Sequence, residues 1–238
     1  MAAGRGSAAE PLPAATSEEW VRRTGTECLD GIGSTEMFHI FISSAPGRVK
    51  PGATGVPVPG YDCRVVDEQG HAVPRGAAGL VAIKGPTGCQ YWRKPDRQAE
   101  YVRFGGWNVT GDVYVHDDEG YFTYQCRSDD MIVTGGYKVP GPEVEHVLDE
   151  HPAVAESAVV AAPDAMRGFV PKAFVVLRPG FTATDELARE LQDHVKKELA
   201  PFKYPRQVAF VPELPHTETG KIRRVELRQQ EAGRAAQR

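Results

Sequence analysis

The 238-residue sequence is poor in cysteine, has no excess of basic charge and contains no long apolar run. Its four cysteines form no Cys-x-x-Cys pair and have no histidine at metal-ligand spacing, so they read as reduced thiols rather than zinc ligands. The net charge of −4 gives no basic footprint for nucleic acid. No window reaches the roughly 18 apolar residues of a membrane span, and the N-terminus lacks the apolar region of a signal peptide. We therefore expect a cytoplasmic protein with neither a nucleic-acid nor a membrane partner.

The remaining sequence changes its pattern twice along the chain. Residues 1–16 are rich in alanine, glycine and proline, which predicts a disordered leader or the start of a piece cut from a longer protein. In residues 17–127 short strand candidates alternate with turn signals, including a hairpin around Asp118-Glu119-Gly120. In residues 128–238 helices and strands alternate. The predicted fold class is multi-domain α+β, with the boundary at the charged turn "CRSDD".

One long helix of the second half has clear start and stop signals. Leu187, Leu191 and Val195 recur every four residues, which predicts one apolar face packed on a sheet. Thr184 is placed to cap the start, and Pro201 ends the pattern.

Four short motifs occur in a fixed order, although each alone has an ordinary explanation. Gly-Lys in a Pro/Thr-rich loop, for example, is most often a solvated turn. The motifs are "GSTE" (33–36), "TGD" (110–112), "RSDDMIVTGGYKVPGPEVE" (127–145) and "PHTETGK" (215–221). Together they resemble the adenylate-forming, or AMP-binding, superfamily. "LDGIGSTEMFHIF" and "GGWNVTGD" are most similar to benzoate- and 2-aminobenzoate-CoA ligases, and the resemblance covers about residues 7–230.

This resemblance implies a carboxylate-CoA ligase that uses ATP, Mg²⁺ and coenzyme A. Joining a carboxylate to the α-phosphate of ATP brings two anions together, so the site must supply positive charge. By resemblance Lys221 is the catalytic cation that bridges them, and its glycine neighbour lets the loop come close to the nucleotide. Thr35 and Glu36 are the other catalytic residues, with Glu36 as the Mg²⁺ ligand.

The resemblance also implies a nucleotide site built from Gly31, Ile32, Gly33, Asp112 and Arg127. Asp112, in the T-G-D turn, has two acceptor oxygens suited to the two ribose hydroxyls, whereas alone it would read as a cap of the turn. Relatives commonly have an aromatic residue at the position of Ile32. Isoleucine keeps an apolar face for adenine but loses the stacking geometry.

The rest of the implied site concerns coenzyme A and the acid. Asp129 is the expected hinge about which the small domain swings, and Gly135 and Gly136 are expected to line the pantetheine tunnel, with Lys138 near a phosphate. Plain turn glycines are the other interpretation. Phe38 and His39 are placed beside the acyl pocket, or they are a core phenylalanine and a satisfied histidine.

A Ser/Thr-rich phosphate loop followed by lysine is not found in this sequence, since "PGATGVPVPG" (51–60) has prolines and no lysine. We therefore expect the last part of a large AMP-binding domain (17–127) and a complete C-terminal domain (128–238), with weak adenylation by the chain alone. Exposed edges and apolar surface are expected between Cys28 and Asp62.

Three functions remain open at this stage. They are a small-molecule aryl- or acyl-CoA ligase without an obligate protein partner, a non-catalytic remnant that still binds nucleotide and coenzyme A, and an adenylation domain that loads a carrier protein.

Overall fold

The computed structural model describes residues 5–7, 12–218 and 220–236. For residues 235 and 236 it describes the backbone alone. Two compact units divide the chain, Met1–Ser128 and Asp129–Arg238. A short 3-10 helix, Ser128–Asp130, lies where they meet in sequence. Strands and helices occur together, so the α+β class is confirmed. None of the helices within the described residues has the length and apolarity to cross a bilayer.

The N-terminal unit contains two sheets. The first is four-stranded with the order β1-β2-β3-β4, in which β1 runs parallel to β2 and the other neighbours are antiparallel. The second has the order β5-β6-β8-β7, with β9 also paired to β8. The elements are β1 (Arg5–Ser7), α1 (Ala14–Thr24), β2 (Cys28–Gly33), β3 (Ile40–Ser43), β4 (Val56–Pro57), β5 (Asp62–Val66), β6 (Ala78–Lys84), α2 (Pro95–Tyr101), β7 (Val102–Arg103), β8 (Trp107–His116) and β9 (Phe122–Arg127).

Both sheets contribute to one apolar core. Met37, Phe41 and Ile42 from the first sheet and its turn are fully buried with Tyr114 and Phe122 from the second. The predicted hairpin between β8 and β9 is confirmed, and Gly120 takes a positive φ of 92° in its turn. This core fixes β2 and β8, the two strands that carry the N-terminal motifs.

Two expectations about the start of this unit need correction. Disorder over 1–16 does not hold for the described part of that range, because Arg5–Ser7 pairs with Cys28–Asp30 and α1 begins at Ala14. Backbone pairing to β2 is what orders the strand. The apolar surface expected between Cys28 and Asp62 is also small, because Phe38 is the one large hydrophobic residue of this described range that is exposed.

The C-terminal unit packs helices on a three-stranded sheet of order β12-β13-β14, with a separate β10-β11 hairpin. Its main core combines buried residues of that sheet with Leu148 of α3 and Leu191 of α4, and a second cluster around Phe174 includes Leu227 of α5. The elements are β10 (Met131–Thr134), β11 (Tyr137–Pro140), α3 (Gly141–Asp149), β12 (Val154–Asp164), β13 (Gly168–Leu177), α4 (Asp185–Glu198), β14 (Gln207–Phe210) and α5 (Arg224–Ala236).

The long helix α4 confirms its sequence signals. Leu187, Leu191 and Val195 are its buried residues, and Thr184 Oγ1 accepts a hydrogen bond from the Leu187 amide at 3.1 Å. The helix ends at Glu198, three residues before Pro201.

Removal of this cap tests how the helix start is stabilised. We expect Thr184→Ala to lower the free energy of unfolding by about 1 kcal/mol, because the Leu187 amide loses its acceptor. Thr182→Ala, at an exposed position just outside the helix, is the matched control and should change it by less than about 0.5 kcal/mol. Urea unfolding followed by circular dichroism measures both; equal losses would contradict the cap.

Candidate active site

The T-G-D motif lies inside strand β8 and not in a turn between strands, which corrects the sequence interpretation. Between β6 and β8 the register shifts, so that Leu80 pairs with Val113 while Ala82 pairs with Val109. Gly111 sits in this bulge at φ +81°, a left-handed value that glycine adopts readily. A Cβ there would also lie 2.9 Å from Arg127 Nη2. The bulge therefore brings the Asp112 backbone close to Arg127.

Two predicted nucleotide residues meet at this bulge. Arg127 Nη1 donates to Asp112 Oδ1 and to the Thr110 carbonyl oxygen, both at 2.9 Å. The Asp112 side chain is 12% exposed and the Arg127 side chain 48%. Asp112 thus lies next to a cation and does not cap a turn. The guanidinium fixes one carboxylate oxygen, which orients the group for a second polar ligand.

Strand β2 delivers the other nucleotide residues and ends in a tight turn. Gly31 pairs with Ser43 and Gly33 with Ile40. A Cβ at Gly33 would lie 2.6 Å from the His39 carbonyl oxygen, so only glycine fits there without movement. Ile32 is half-buried and packs against the core shared by the two sheets. The apolar face expected at this position is thus partly used by the core.

Thr35 and Glu36 follow β2 within this turn. The Met37 and Phe38 amides donate to the Ser34 and Thr35 carbonyl oxygens at 3.2 and 3.3 Å, which closes the turn. The Glu36 carboxylate accepts a hydrogen bond from the Tyr91 hydroxyl at 2.7 Å. That bond is the main cause that lowers the pKa of Glu36. Glu36 is therefore ionised at neutral pH.

Phe38 and His39 complete the turn and are both exposed. Phe38 is 70% exposed and has φ +57°, a left-handed conformation that costs a residue with a side chain about 1 kcal/mol. The His39 ring stacks on Tyr61 with 6.4 Å between centroids. Phe38 is therefore not a core phenylalanine. The expected role of both beside an acyl pocket stays a prediction.

In the C-terminal unit the chain around Lys221 forms a closed loop. His216 and Ile222 pair as an antiparallel bridge. The Thr217 amide donates a hydrogen bond to the Lys221 carbonyl oxygen at 2.8 Å, and the Lys221 amide donates one to Thr217 Oγ1 at 3.1 Å. Gly220 turns the chain at φ +83°. Thr217 and Gly220 thus shape the loop, and Lys221 is exposed beside the turn.

The base of this loop is tied down on both sides. His216 Nε2 lies 2.7 Å from Glu156 Oε1, an interaction that raises the pKa of His216. Helix α5 begins three residues after Lys221, and its Arg224 makes two bonds to the Glu145 carboxylate, at 3.0 and 2.5 Å. Lys221 is therefore on a short loop between fixed ends.

The expected hinge residue also contacts helix α5. Arg228 Nη2 donates to Asp129 Oδ2 at 3.0 Å, and Arg228 also binds Asp130. The segment with the hinge and the helix that follows Lys221 are thus linked within one unit.

The two glycines expected to face coenzyme A form the turn of the β10-β11 hairpin. Gly135 and Gly136 have φ values of 53° and 86° between the paired residues Thr134 and Tyr137. Two successive positive φ angles define the tight hairpin turn that matches strand twist, so backbone conformation alone explains both glycines. Lys138 is exposed on β11. Their role toward coenzyme A stays a prediction.

The comparisons with known proteins place these motifs in one family. Residues 4–91 match the family described as AMP-binding enzyme, and residues 143–221 match the AMP-binding enzyme C-terminal domain. The chain belongs to the AMP-binding enzyme family. The two matches contain the Gly31–His39 segment and the Lys221 loop.

Relatives from this family align over almost the whole chain. Benzoate-CoA ligase of Thauera aromatica is 47% identical over 224 residues, 93% of this chain and 42% of the relative. A mitochondrial acyl-coenzyme A synthetase of Homo sapiens is 43% identical over 233 residues, 94% of this chain and 40% of the relative. The chain thus spans about two fifths of the length of these curated relatives.

Solved structures of AMP-binding enzymes share the fold. An anthranilate CoA ligase in complex with anthranoyl-AMP superposes with a TM-score of 0.85 at 44% identity, over 98% of this chain and 45% of that one. A benzoate CoA ligase from Burkholderia xenovorans gives a TM-score of 0.78 at 46% identity, over 94% and 45%.

The predicted residues of this AMP-binding chain fall into two groups. The Gly31–His39 segment, Asp112 and Arg127 belong to the N-terminal unit, whereas Asp129, the 135–138 hairpin and Lys221 belong to the C-terminal unit. Within the first group Asp112 and Arg127 are in direct contact. Tyr91, the partner of Glu36, was missed, because it is 55 residues away and no motif marks it.

Glu36 also fits the metal expected in an AMP-binding enzyme. Mg²⁺ prefers carboxylate oxygens and is usually held by one or two carboxylates together with substrate phosphates. In the described ranges no three His, Cys, Asp or Glu side chains gather as a metal cage. A single carboxylate such as Glu36 fits a site of this kind, which substrate phosphates complete.

Proposed function

We propose that this chain carries the C-terminal part of an AMP-forming CoA ligase that activates an aromatic carboxylic acid. The substrates are the acid, ATP and coenzyme A, with Mg²⁺ at Glu36 and no protein partner. The observation that carries the proposal is the pairing of Asp112 with Arg127 in the bulge of β8, in a chain that also presents Lys221 on a fixed loop. The benzoate-CoA ligase of Thauera aromatica and the anthranilate CoA ligase support an aromatic acid.

The reaction proceeds in two steps. A carboxylate oxygen attacks the α-phosphorus of ATP, the bond to pyrophosphate breaks, and an acyl-AMP forms. The thiol of coenzyme A then loses its proton and attacks the acyl carbon, and AMP leaves with the oxygen that came from the acid. Both steps move negative charge in a confined site, where fixed cations and dipoles lower the barrier most effectively.

The residues of this chain have separate tasks in that scheme. Asp112 accepts hydrogen bonds from the ribose hydroxyls, and Arg127 holds the carboxylate in a fixed orientation. The Gly31–Gly33 backbone lies against the nucleotide, and Ile32 offers its remaining apolar surface to adenine. Lys221 places an ammonium between the acid and the α-phosphate.

The C-terminal unit supplies the second half-reaction as well. We propose that motion about Asp129 exchanges the Lys221 loop for the hairpin of Gly135, Gly136 and Lys138, which then faces coenzyme A. Phe38 and His39 border the acid. The domain assignment, an AMP-binding portion over 17–127 and a C-terminal domain over 128–238, is part of this proposal. The cytoplasmic location also stays a prediction, since one relative is mitochondrial.

A chimera tests this function directly. In it, this chain replaces the matching 224 residues of the Thauera aromatica benzoate-CoA ligase, so that the relative supplies the remaining length. With benzoate or 2-aminobenzoate, ATP, Mg²⁺ and coenzyme A, we expect AMP and the aryl-CoA thioester in equal amounts. A folded chimera that binds nucleotide but forms no product would instead support a non-catalytic module.

Loss of charge at Asp112 should weaken nucleotide binding in this chimera. We expect Asp112→Asn to raise the KM for ATP about 10- to 100-fold, because hydrogen bonds to a charged group are worth roughly 1.5–3 kcal/mol. Steady-state pyrophosphate release at varied ATP measures the change. Asp62→Asn is the matched control, since Asp62 forms an exposed pair with Arg64 at 2.9 Å. Equal KM values in the two variants would contradict the ribose contact.

A further inference from the structure

The Tyr91 hydroxyl reaches Glu36 from a distant part of the N-terminal unit. Tyr91 follows β6 on the segment that leads into α2, and its hydroxyl donates to Glu36 Oε1 at 2.7 Å. The bond occupies one of the two carboxylate oxygens. We propose that Tyr91 is a positioning residue that fixes the Glu36 carboxylate for the Mg²⁺-bound nucleotide. The inference rests on the proposed function, and it adds a residue outside the four motifs.

Tyr91 is itself held in place by helix α2. Its backbone amide donates to Gln98 Oε1 at 2.8 Å. The Tyr91 ring and the buried Tyr101 ring are perpendicular, with 6.0 Å between their centroids. The Arg97 guanidinium lies 5.9 Å from the centroid of the Tyr91 ring. Three contacts from one helix thus limit the motion of the phenol. Partners that orient a metal ligand need this kind of support.

A phenol suits this task because it donates a hydrogen bond without cancelling the carboxylate charge. An arginine or lysine in direct contact would neutralise Glu36 and weaken its attraction for a cation. The charged and titratable groups that interact electrostatically with Glu36 are Tyr91, Arg97 and Tyr101. The Tyr91 hydroxyl is an uncharged donor, so its bond to Glu36 places no opposing charge beside the carboxylate. Glu36 therefore keeps its charge and gains a fixed orientation.

Titration of Glu36 in the full 238-residue chain tests the contact without any catalytic readout. Carbon-detected nuclear magnetic resonance can follow the Glu36 carboxyl carbon in the parent, in Tyr91→Phe and in Tyr121→Phe. The control removes a hydroxyl that donates to the Arg48 carbonyl oxygen, away from Glu36. We expect Glu36 to titrate below the ordinary glutamate value of about 4.3 in the parent and the control, and to move up toward it in Tyr91→Phe. An unchanged titration in Tyr91→Phe would overturn the proposal.

Calorimetric titration of the chimera, with and without Tyr91→Phe, by ATP in the presence and absence of Mg²⁺ tests the link to the metal. Loss of an outer partner of a metal ligand typically weakens metal affinity 10- to 100-fold, so we expect Mg²⁺·ATP to bind about tenfold more weakly to Tyr91→Phe. Binding of AMP without Mg²⁺ should stay equal to the parent. Parent-like Mg²⁺·ATP affinity in Tyr91→Phe would overturn the role of Tyr91. A parent chimera that binds no Mg²⁺·ATP would overturn the proposed function, while the titration of the 238-residue chain would still report on the contact.

Discussion

Lys221→Ala should slow acyl-adenylate formation by the chimera about 10²- to 10³-fold. One unit charge about 4 Å from an anion is worth roughly 4 kcal/mol at an effective dielectric near 20, and each 1.36 kcal/mol corresponds to a tenfold change in rate. The two bonds that join Thr217 and Lys221 use only the backbone N–H and carbonyl of Lys221, so alanine can still form both. Single-turnover pyrophosphate release measures the rate.

Two comparisons make that result specific to the ammonium. Lys197→Ala removes a lysine from the exposed side of helix α4 and should leave the rate within about twofold of the parent. Thioester formation from preformed benzoyl-AMP should also persist in Lys221→Ala, because that step no longer brings two anions together. Adenylation at the parent rate in Lys221→Ala would show that another group supplies the charge.

Lys172→Met should destabilise the C-terminal unit by about 3–5 kcal/mol. Lys172 on β13 and Glu231 on α5 form an ion pair at 2.8 Å, with side chains only 10% and 6% exposed. Methionine keeps the volume but leaves the buried Glu231 with the exposed Arg234 alone. Removal of one partner of a buried pair is strongly destabilising because the other charge remains in a low-dielectric environment. Urea unfolding followed by circular dichroism measures the loss.

The double variant separates charge from packing in this pair. We expect Lys172→Met with Glu231→Leu to lie within about 1 kcal/mol of the parent, since apolar residues of similar volume often replace a buried pair without loss. The Lys172–Glu231 pair bears on function because it anchors helix α5, which begins at Arg224, just after the Lys221 loop. A single variant as stable as the parent would mean that the pair is not buried in solution.

Local patterns in the sequence predicted much of the fold. Helix α4, its Thr184 cap and the hairpin at Gly120 follow from periodicity and turn chemistry, which act over a few residues. Helix α5 was not predicted. Its side toward the unit carries Arg224, Arg228 and Glu231 beside a buried Leu227, so polar residues occupy positions where an apolar stripe is expected. Their partners lie 59 to 99 positions earlier in the sequence, so no local pattern can show them.

The candidate site divides in the same way. The motifs predicted Asp112 and Arg127, and the structure brings them together at 2.9 Å. The sequence did not show that T-G-D is a bulge, because a register shift depends on the neighbouring strand. Nor did the sequence show the contact of Tyr91 with Glu36, because the two residues are 55 positions apart. Gly135 and Gly136 illustrate the opposite case, since two glycines in a row predict a turn and the structure shows one, yet their role toward coenzyme A needs experiment.

The most direct measurement of the central claim follows one oxygen atom. The chimera is supplied with benzoate labelled with ¹⁸O in both carboxylate positions, and AMP is analysed by mass spectrometry. Attack of the carboxylate on the α-phosphorus predicts that each AMP released carries one ¹⁸O atom and that the thioester keeps the other. AMP without the label, formed together with the thioester, would contradict an acyl-adenylate and with it the roles proposed for Asp112 and Lys221.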